Sequence, residues 1–470
     1  MSFCLLKKGF VFLIILTLFC VTITSAFGII QTSTFTNKSV DLSKNNEEEN
    51  ILDNFIKIDT IMNRSEDIAN ILEYSRYFQS NEEIFEKLIM KLMNSSHMSA
   101  LSAAIIKDNK CIWAKGYGLY DRENNKKNNE EIIFLAASIS KTFAATALMQ
   151  LYEKGYFDLD DDVNNYLPFS LRNPSYPEIS ITYRMLFSHQ SSLATDREDL
   201  PNFLTRIYPG GLKIEGYPYP FLKDYLTTNG NNYRPQVWAN SAPGEEMHYA
   251  NIGYGLMGYL VEILSNMSFE EYCYENIFKP LDMYNSSFSY SNLDSKRIGI
   301  PYEFISGEYC PIIHYDLLDS PAGGLRTSVI DLSHFLIANM NNGVYGDIRL
   351  LNEESISEMH SIQYPRENGY QYGLGFQIWE KPTDTYIGHT GGLYGVATKM
   401  VFRSSDNIGI IFFTNKEIWN NYEIVAFSLI ERLLFWKANG FSNNELQLIL
   451  LENTIESNEH LNTNPGSCDN

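Results

Sequence analysis

The chain has 470 residues, 44% of them hydrophobic and 14% aromatic, enough apolar material for one large enzyme or for two to three average domains. With 36 Lys and Arg against 57 Asp and Glu, the formal charge is −21. That balance argues against a nucleic-acid partner and against electrostatic docking on anionic lipid, both of which need basic surfaces. No zinc-type Cys/His cluster, no Gly-rich phosphate loop and no H-E-x-x-H occurs in the sequence, so neither a metal nor a cofactor is indicated.

Residues 1–30 read as a targeting segment. Lys7 and Lys8 precede an uncharged stretch from Gly9 to Ile30, with small residues at Thr24-Ser25-Ala26 for a signal peptidase. The uncharged run is also long enough to span a bilayer, so a cleaved signal peptide and an N-terminal membrane anchor both fit. Either places the body of the protein in the secretory pathway: secreted, lumenal or anchored. Such a compartment permits disulfides, and Cys111, Cys273, Cys310 and Cys468 allow three pairings among which the sequence does not choose. Asn37, Asn63, Asn94, Asn266 and Asn285 begin Asn-x-Ser/Thr sequons, the glycosylation candidates of such a route.

Residues 31–80 read as a polar linker, stalk or pro-region that contains the Glu47-Glu48-Glu49 run; short helices are drawn over Ile51–Ile61 and Ile68–Tyr77. A compact domain is expected over 81–440. Glu82–Met93 carries Ile84, Leu88, Ile89 and Leu92 on one helical face. Ala100–Ile106 and Cys111–Leu119 read as a hairpin turned at Asp108-Asn109-Lys110.

Ser138-Ile139-Ser140-Lys141 follows, at the start of a helix that ends near Gly155. Side chains at i and i+3 share a helix face, so Ser138 and Lys141 are neighbours. A serine hydroxyl becomes a nucleophile when a base takes its proton. Lysine is such a base only when neutral, and its ordinary pKa is about 10.4. Burial and the positive end of a helix both oppose its charge. The uncharged surroundings, Ile132–Ala137 and Thr142–Leu151, predict that burial.

Residues 157–341 read as a large helical insertion. Its helices are expected over Tyr183–Phe187, Gly253–Leu264 and Ile330–Ala338, and its irregular loop over Pro201–Pro243. Strands return over Tyr372–Trp379, Thr385–Ile387, Ala397–Phe402 and Ile408–Thr414. Tyr422–Trp436 closes the domain as a helix, and residues 441–470 are a polar tail. Strands at both ends and helices between them predict an α+β fold in which N- and C-terminal segments build one antiparallel sheet.

Three separated motifs carry a resemblance to the serine β-lactamase-like superfamily, over about residues 82–438. They are Ser138-x-x-Lys141, then Tyr249-Ala250-Asn251 after Pro243-Gly244, then His389-Thr390-Gly391-Gly392. Leu186-Phe187-Ser188-His189-Gln190-Ser191-Ser192-Leu193 and Pro321-Ala322-Gly323-Gly324-Leu325 are similar to supporting segments of that family. Tyr274-Glu275-Asn276 and Tyr290-Ser291-Asn292 also match Tyr-x-Asn; Tyr249 is preferred for its Pro-Gly approach and the apolar helix after it.

The resemblance implies a β-lactamase/transpeptidase-like fold with a five-stranded antiparallel sheet flanked by helices. It implies a serine acyl hydrolase that works through a covalent acyl-Ser138, on a small-molecule or peptide substrate. In this reading Lys141 accepts or relays the proton. The Tyr249 hydroxyl, as phenolate or through Lys141, protonates the leaving group and later activates water, a role that needs its ionised form favoured by a nearby ammonium. Asn251, His389, Thr390, Gly391 and Gly392 contact substrate, and the N–H groups of Ser138 and Gly392 form the oxyanion hole. A catalytically idle scaffold with a binding role, and a DD-peptidase or β-lactamase proper, are the alternatives. His389 stands where many relatives carry a lysine. Neutral histidine would not attract a substrate carboxylate, so esters or amides lacking one are expected. His189 is read as structural, bridging a helix end.

Overall fold

The computed structural model describes residues 80–194, 205–207, 219–365, 370–381, 384–418 and 420–441. The targeting segment, the linker or stalk and the polar tail with Cys468 lie outside the described residues, as do Asn37 and Asn63.

Ser80 caps helix α1 (Asn81–Ser95), its hydroxyl accepting from the Glu83 N–H. Strands β1 (Ala100–Lys107) and β2 (Lys110–Asp121) form the hairpin, with Asp108 and Asn109 both at positive φ in the turn. A short strand β3 (Lys126–Lys127) pairs with β2. Helix α2 (Ser140–Glu153) is buried from Ser140 to Leu151, which explains its lack of a polar face. Gly155, at φ 74°, follows its C-terminus. Next come α3 (Tyr183–Phe187), α4 (Asn251–Ser265), the one-turn α5 (Ser320–Gly323) and α6 (Val329–Met340). The C-terminal strands are β4 (Gln371–Tyr372), β5 (Gln377–Lys381), β6 (Asp384–Leu393), β7 (Val396–Arg403) and β8 (Ile408–Thr414). Helix α7 (Asn421–Ala438) closes the domain.

The principal sheet runs β4-β5-β6-β7-β8-β1-β2-β3, and every neighbouring pair is antiparallel. Chain ends meet at its centre, where Leu101 of β1 pairs with Thr414 of β8. Successive side chains of a strand point to opposite faces. Along β1, Leu101, Ala103 and Ile105 join the core under α1 and α7; Ala104 and Ile106 join the larger core toward α2, α4 and α6. Being buried on both faces makes β1 and β8 continuous apolar runs rather than alternating ones.

Four differences from the sequence reading have physical causes. The sheet has eight strands rather than five: two-residue strands extend both edges of a six-stranded body, β5-β6-β7-β8-β1-β2. Tyr372–Trp379 is not one strand but two. The chain turns between β4 and β5 through Gly373-Leu374-Gly375, and Gly375, at φ 87°, lies so close to Ala145 of α2 that a Cβ would collide with it. Strand β6 continues from Asp384 to Leu393, past the Ile387 end drawn from propensity, because ladder pairing with β7 carries it through three glycines. The insertion is not wholly helical. It holds a hairpin of Tyr302–Ile305 with Glu308–Pro311, and Thr205–Ile207 pairs with Tyr315–Leu317. Within the supposed loop Pro201–Pro243 there is also a helix, Tyr219–Leu226.

Among the described residues no helix is long and apolar enough to cross a membrane. Cys111 and Cys273 are free thiols, and burial raises the pKa of both. Asn94 and Asn266 are exposed, whereas the Asn285 side chain accepts from Arg297 at 2.7 Å and is half-buried.

Candidate active site

Ser138 is carried by a strained turn. The 3-10 turn Ala137–Ile139 runs directly into α2, and Ala137 holds φ at 49°, a left-handed conformation uncommon for a residue with a Cβ. Such strain persists only where the surroundings over-determine it. The Ala136 N–H donates to the Leu325 carbonyl at 2.7 Å, and the Ser140 hydroxyl donates to the Ala137 carbonyl at 2.6 Å. From β7, the Thr398 hydroxyl donates to the Ala136 carbonyl at 2.8 Å. Strand β6 closes on the same turn at Gly391, where a Cβ would collide with the Thr398 hydroxyl, the Ala136 carbonyl and the Ala137 methyl. Gly392, next along, is exposed, with no atom within 4 Å of a Cβ.

Within Ser138-Ile139-Ser140-Lys141 only Ser138 has appreciable exposed surface; Lys141 is fully buried. The Lys141 amine lies 2.7 Å from the Ala322 carbonyl, 2.8 Å from Asn251 Oδ1 and 3.2 Å from Ser138 Oγ. The Ala322 and Asn251 oxygens only accept, so they take two N–H bonds. The third direction of the nitrogen faces the Ser138 hydroxyl, and it carries a proton or a lone pair according to charge. Burial pulls the Lys141 pKa down to about 7, opposed by the charge of Asp319.

Tyr249 enters from the chain just before α4, whose first residue is Asn251. Its ring centroid is 4.8 Å from the Lys141 amine, and its hydroxyl shares a hydrogen bond with Ser138. Burial raises the phenol well above its usual pKa, more than the Ser138 bond lowers it. Of the two forms considered for Tyr249, burial disfavours the phenolate and leaves the route through Lys141. His189, at φ 61°, accepts the Ala250 N–H on Nδ1 at 3.1 Å and lies against the Tyr249 ring, centroids 4.4 Å apart. It thus bridges α3 to the start of α4. Tyr274 is exposed, and Tyr290 packs over the Arg326 guanidinium at 5.4 Å, so neither of the other Tyr-x-Asn tyrosines joins this group.

His389 is not placed as a substrate contact. It is fully buried; its Nε2 meets the Tyr372 hydroxyl at 2.7 Å and its Nδ1 meets the Thr390 carbonyl at 2.6 Å. A carbonyl only accepts, so the proton belongs on Nδ1, and Nε2 accepts from Tyr372. Burial first, and then the charge of Lys141, pull the His389 pKa down to about 3. It stays neutral and presents no cation. Thr390 is half-buried, and both its N–H (2.9 Å) and its hydroxyl (3.0 Å) donate to Gln377 Oε1.

Ser138, Lys141, Tyr249 and Asn251 therefore converge, with Gly391 and Gly392 running alongside the turn. Three residues were not found from the sequence. Tyr372 and Gln377, on β4 and β5, fix His389 and Thr390; nothing in an apolar-aromatic run singled them out. Asp319, 5% exposed, directly precedes α5, and burial raises its carboxyl to about 6 against the pull of Lys141. In sequence, Asp-Ser-Pro reads as an ordinary helix start, which hid it.

The Beta-lactamase family model matches residues 85–434. The chain belongs to the beta-lactamase family. Among curated relatives of this family member, Protein flp of Staphylococcus aureus (strain N315) is 25% identical over 353 residues, 73% of this chain and 64% of that protein. Beta-lactamase-like protein 2 of Dictyostelium discoideum is 28% identical over 341 residues, 70% of this chain and 58% of that protein. The chain thus spans less than two thirds of the length of both. The octameric penicillin-binding protein homologue from Pyrococcus abyssi superposes with a TM-score of 0.61 at 25% identity, covering 79% of this chain and 81% of that one. A Beta-Lactamase/D-Alanine Carboxypeptidase from Pseudomonas syringae shares the fold, with a TM-score of 0.59 at 20% identity over 75% of this chain and 99% of that one. The family is one related to serine hydrolases and penicillin-binding proteins.

Proposed function

We propose that the chain is a serine acyl hydrolase acting on esters or amides through an acyl-Ser138 intermediate. The observation that carries this reading is the pairing of an accessible hydroxyl with a buried amine at 3.2 Å, the amine's other hydrogens being held by pure acceptors. With Lys141 near neutrality in charge balance at pH 7, its lone pair faces the Ser138 proton. Ser138 Oγ attacks the acyl carbon as Lys141 takes the proton; the bond to the leaving alcohol or amine then breaks, and the proton passes to that group. Tyr249, a neutral phenol bonded to Ser138, relays it rather than starting as phenolate. Water repeats the sequence to release the acid. The Ser138 and Gly392 N–H groups are the oxyanion donors in this scheme, and loss of one such donor costs about a hundred- to thousandfold in rate.

A neutral, buried His389 supports a preference for substrates without a carboxylate at the position where a lysine would bind one. The relatives named for penicillin binding and D-alanine carboxypeptidase activity frame the alternatives to be assayed. Intact-protein mass spectrometry after exposure to a fluorophosphonate, a panel of esters, D-alanyl peptides and a chromogenic cephalosporin tests the reading. A single adduct on Ser138, absent from Ser138→Ala, is expected, with turnover of esters or amides that lack a carboxylate. Folded protein that takes no adduct overturns the hydrolase, and efficient cephalosporin turnover overturns the substrate preference.

A further inference from the structure

Asp319 is a buried carboxylate that the scheme above leaves without a task. Acidic side chains are rarely this buried unless paired. Among the described residues no ion pair reaches it, and its carboxylate has its own backbone N–H as hydrogen-bond donor. Its place in the fold is specific. The Asp319 carbonyl accepts the Ala322 N–H at 2.7 Å, closing α5, and Ala322 is the residue whose own carbonyl takes a Lys141 N–H. The turn that anchors the amine therefore also carries the carboxylate.

The groups around Lys141 make this placement decisive. Ser138, Asn251 and Ala322 touch it and are neutral. Tyr249 and Tyr254 lie with ring centroids 4.8 and 5.6 Å from the amine, and burial raises both phenols, so neither supplies an anion. His189 and His389 feel the Lys141 charge, and burial holds both neutral. Asp319 is left as the carboxylate that acts on the amine, and Lys141 acts on it in return. A full ion pair in contact would lock the amine as ammonium and abolish the base. Placed beyond ion-pair distance, the carboxylate biases the amine without capturing it.

We propose that Asp319 is a positioning residue for the acylation chemistry: carried on the α5 turn, its charge sets the pH at which Lys141 releases its proton toward the buffer and becomes able to accept that of Ser138. The kinetic consequence rests on the acyl-hydrolase reading; the titration itself does not. Asp319→Asn removes the anion at nearly constant shape. Without it, burial acts unopposed and the amine loses its proton at lower pH. Asp319→Glu keeps the charge and restores the native behaviour in large part.

The test is a titration of full-length protein carrying 13C-labelled lysine side chains, the Lys141 signal being assigned by its absence from Lys141→Arg. Its midpoint is expected to fall by about one pH unit in Asp319→Asn and to stay within half a unit in Asp319→Glu. The pH profile of fluorophosphonate labelling is read in parallel. Its acid limb moves down with the midpoint, so that at pH 6 the rate relative to its plateau rises about fivefold. A purely structural role lowers the plateau and leaves the limb in place; an unmoved Lys141 midpoint in Asp319→Asn overturns the proposal. Should Asp319→Asn fail to fold, a shift of a full unit in Asp319→Glu overturns it instead. Native protein that titrates as expected yet takes no label at Ser138 refutes the hydrolase and leaves the Asp319–Lys141 coupling standing.

Discussion

Gly391→Ala and Gly392→Ala make a matched pair, one methyl each on adjacent residues of β6. At Gly391 the new Cβ meets the Thr398 hydroxyl, the Ala136 carbonyl and, at 3.0 Å, the Ala137 Cβ. Two of those atoms belong to the strained turn and cannot swing away as a flexible side chain would. Overpacking of this kind costs about 1–3 kcal/mol. The upper part of that range applies here, because the Thr398–Ala136 bond that steadies the turn must also stretch. Separation of β6 from the turn moves Gly392 relative to Ser138, and a displacement near 1 Å costs about a hundredfold in rate. At Gly392 the methyl meets nothing within 4 Å, so stability should change by less than about 0.5 kcal/mol. Any loss there is one of access to the cleft. Urea denaturation followed by circular dichroism gives the stabilities, and the second-order rate of fluorophosphonate labelling gives the reactivity. Gly391→Ala with native stability and native labelling would refute the claim that β6 is clamped on the Ser138 turn; equal destabilisation by both substitutions would refute the account of why each glycine is there.

Lys141 is depressed in the folded state, so between pH 7 and its unfolded value the unfolded chain holds the extra proton. Native stability should therefore rise with pH across that window, by up to about 1.4 kcal/mol per unit. That slope should vanish in Lys141→Met, as denaturant titrations at pH 7, 8 and 9 would reveal. His389→Lys, made to imitate the lysine of many relatives, should destabilise by about 3–5 kcal/mol because an ammonium would be buried without a counter-charge. A stable variant that gains turnover of carboxylate-bearing substrates would contradict the buried placement of residue 389. Gln377→Ala strips the partner from both the Thr390 N–H and its hydroxyl, a loss of about 1–3 kcal/mol with slower labelling, measured by the same two assays.

The legible part of this molecule was what local pattern encodes. Strands β1, β2, β7 and β8 announced themselves as apolar runs, and α1 through its periodic face. Ser138, Lys141, Tyr249 and Asn251 are ordinary residue types whose spacing and order made them visible. The hidden parts were those set by tertiary contact. Strand β6 runs through Gly388, Gly391 and Gly392, which weaken any strand signal, yet its partner β7 holds it in register. Gly375 breaks an aromatic run into two strands because Ala145 of α2 comes close. His389 looked like a pocket residue by position in its motif, and only the Tyr372 hydroxyl and the Thr390 carbonyl turn it inward. Asp319 could be found only from what surrounds it, since a carboxylate in a helix-start motif is expected to face water.

The central seam of the sheet joins segments from opposite ends of the domain: the Ala100 N–H donates to the Asn415 side chain across 315 positions at 2.6 Å. Contacts so far apart make for slow folding, since the intervening loop must close before any of them can form. A nascent chain emerging N-terminus first therefore presents β1 to the outside with one edge bare until β8 has been synthesised. Ser138 and Lys141 leave the ribosome long before β6 and β7 exist to clamp their turn, so the turn can take its final form only near the end of synthesis. Until β8 is in place, the bare edge of β1 offers unpaired backbone N–H and C=O groups to any other strand, a hazard that this chain order builds into its folding.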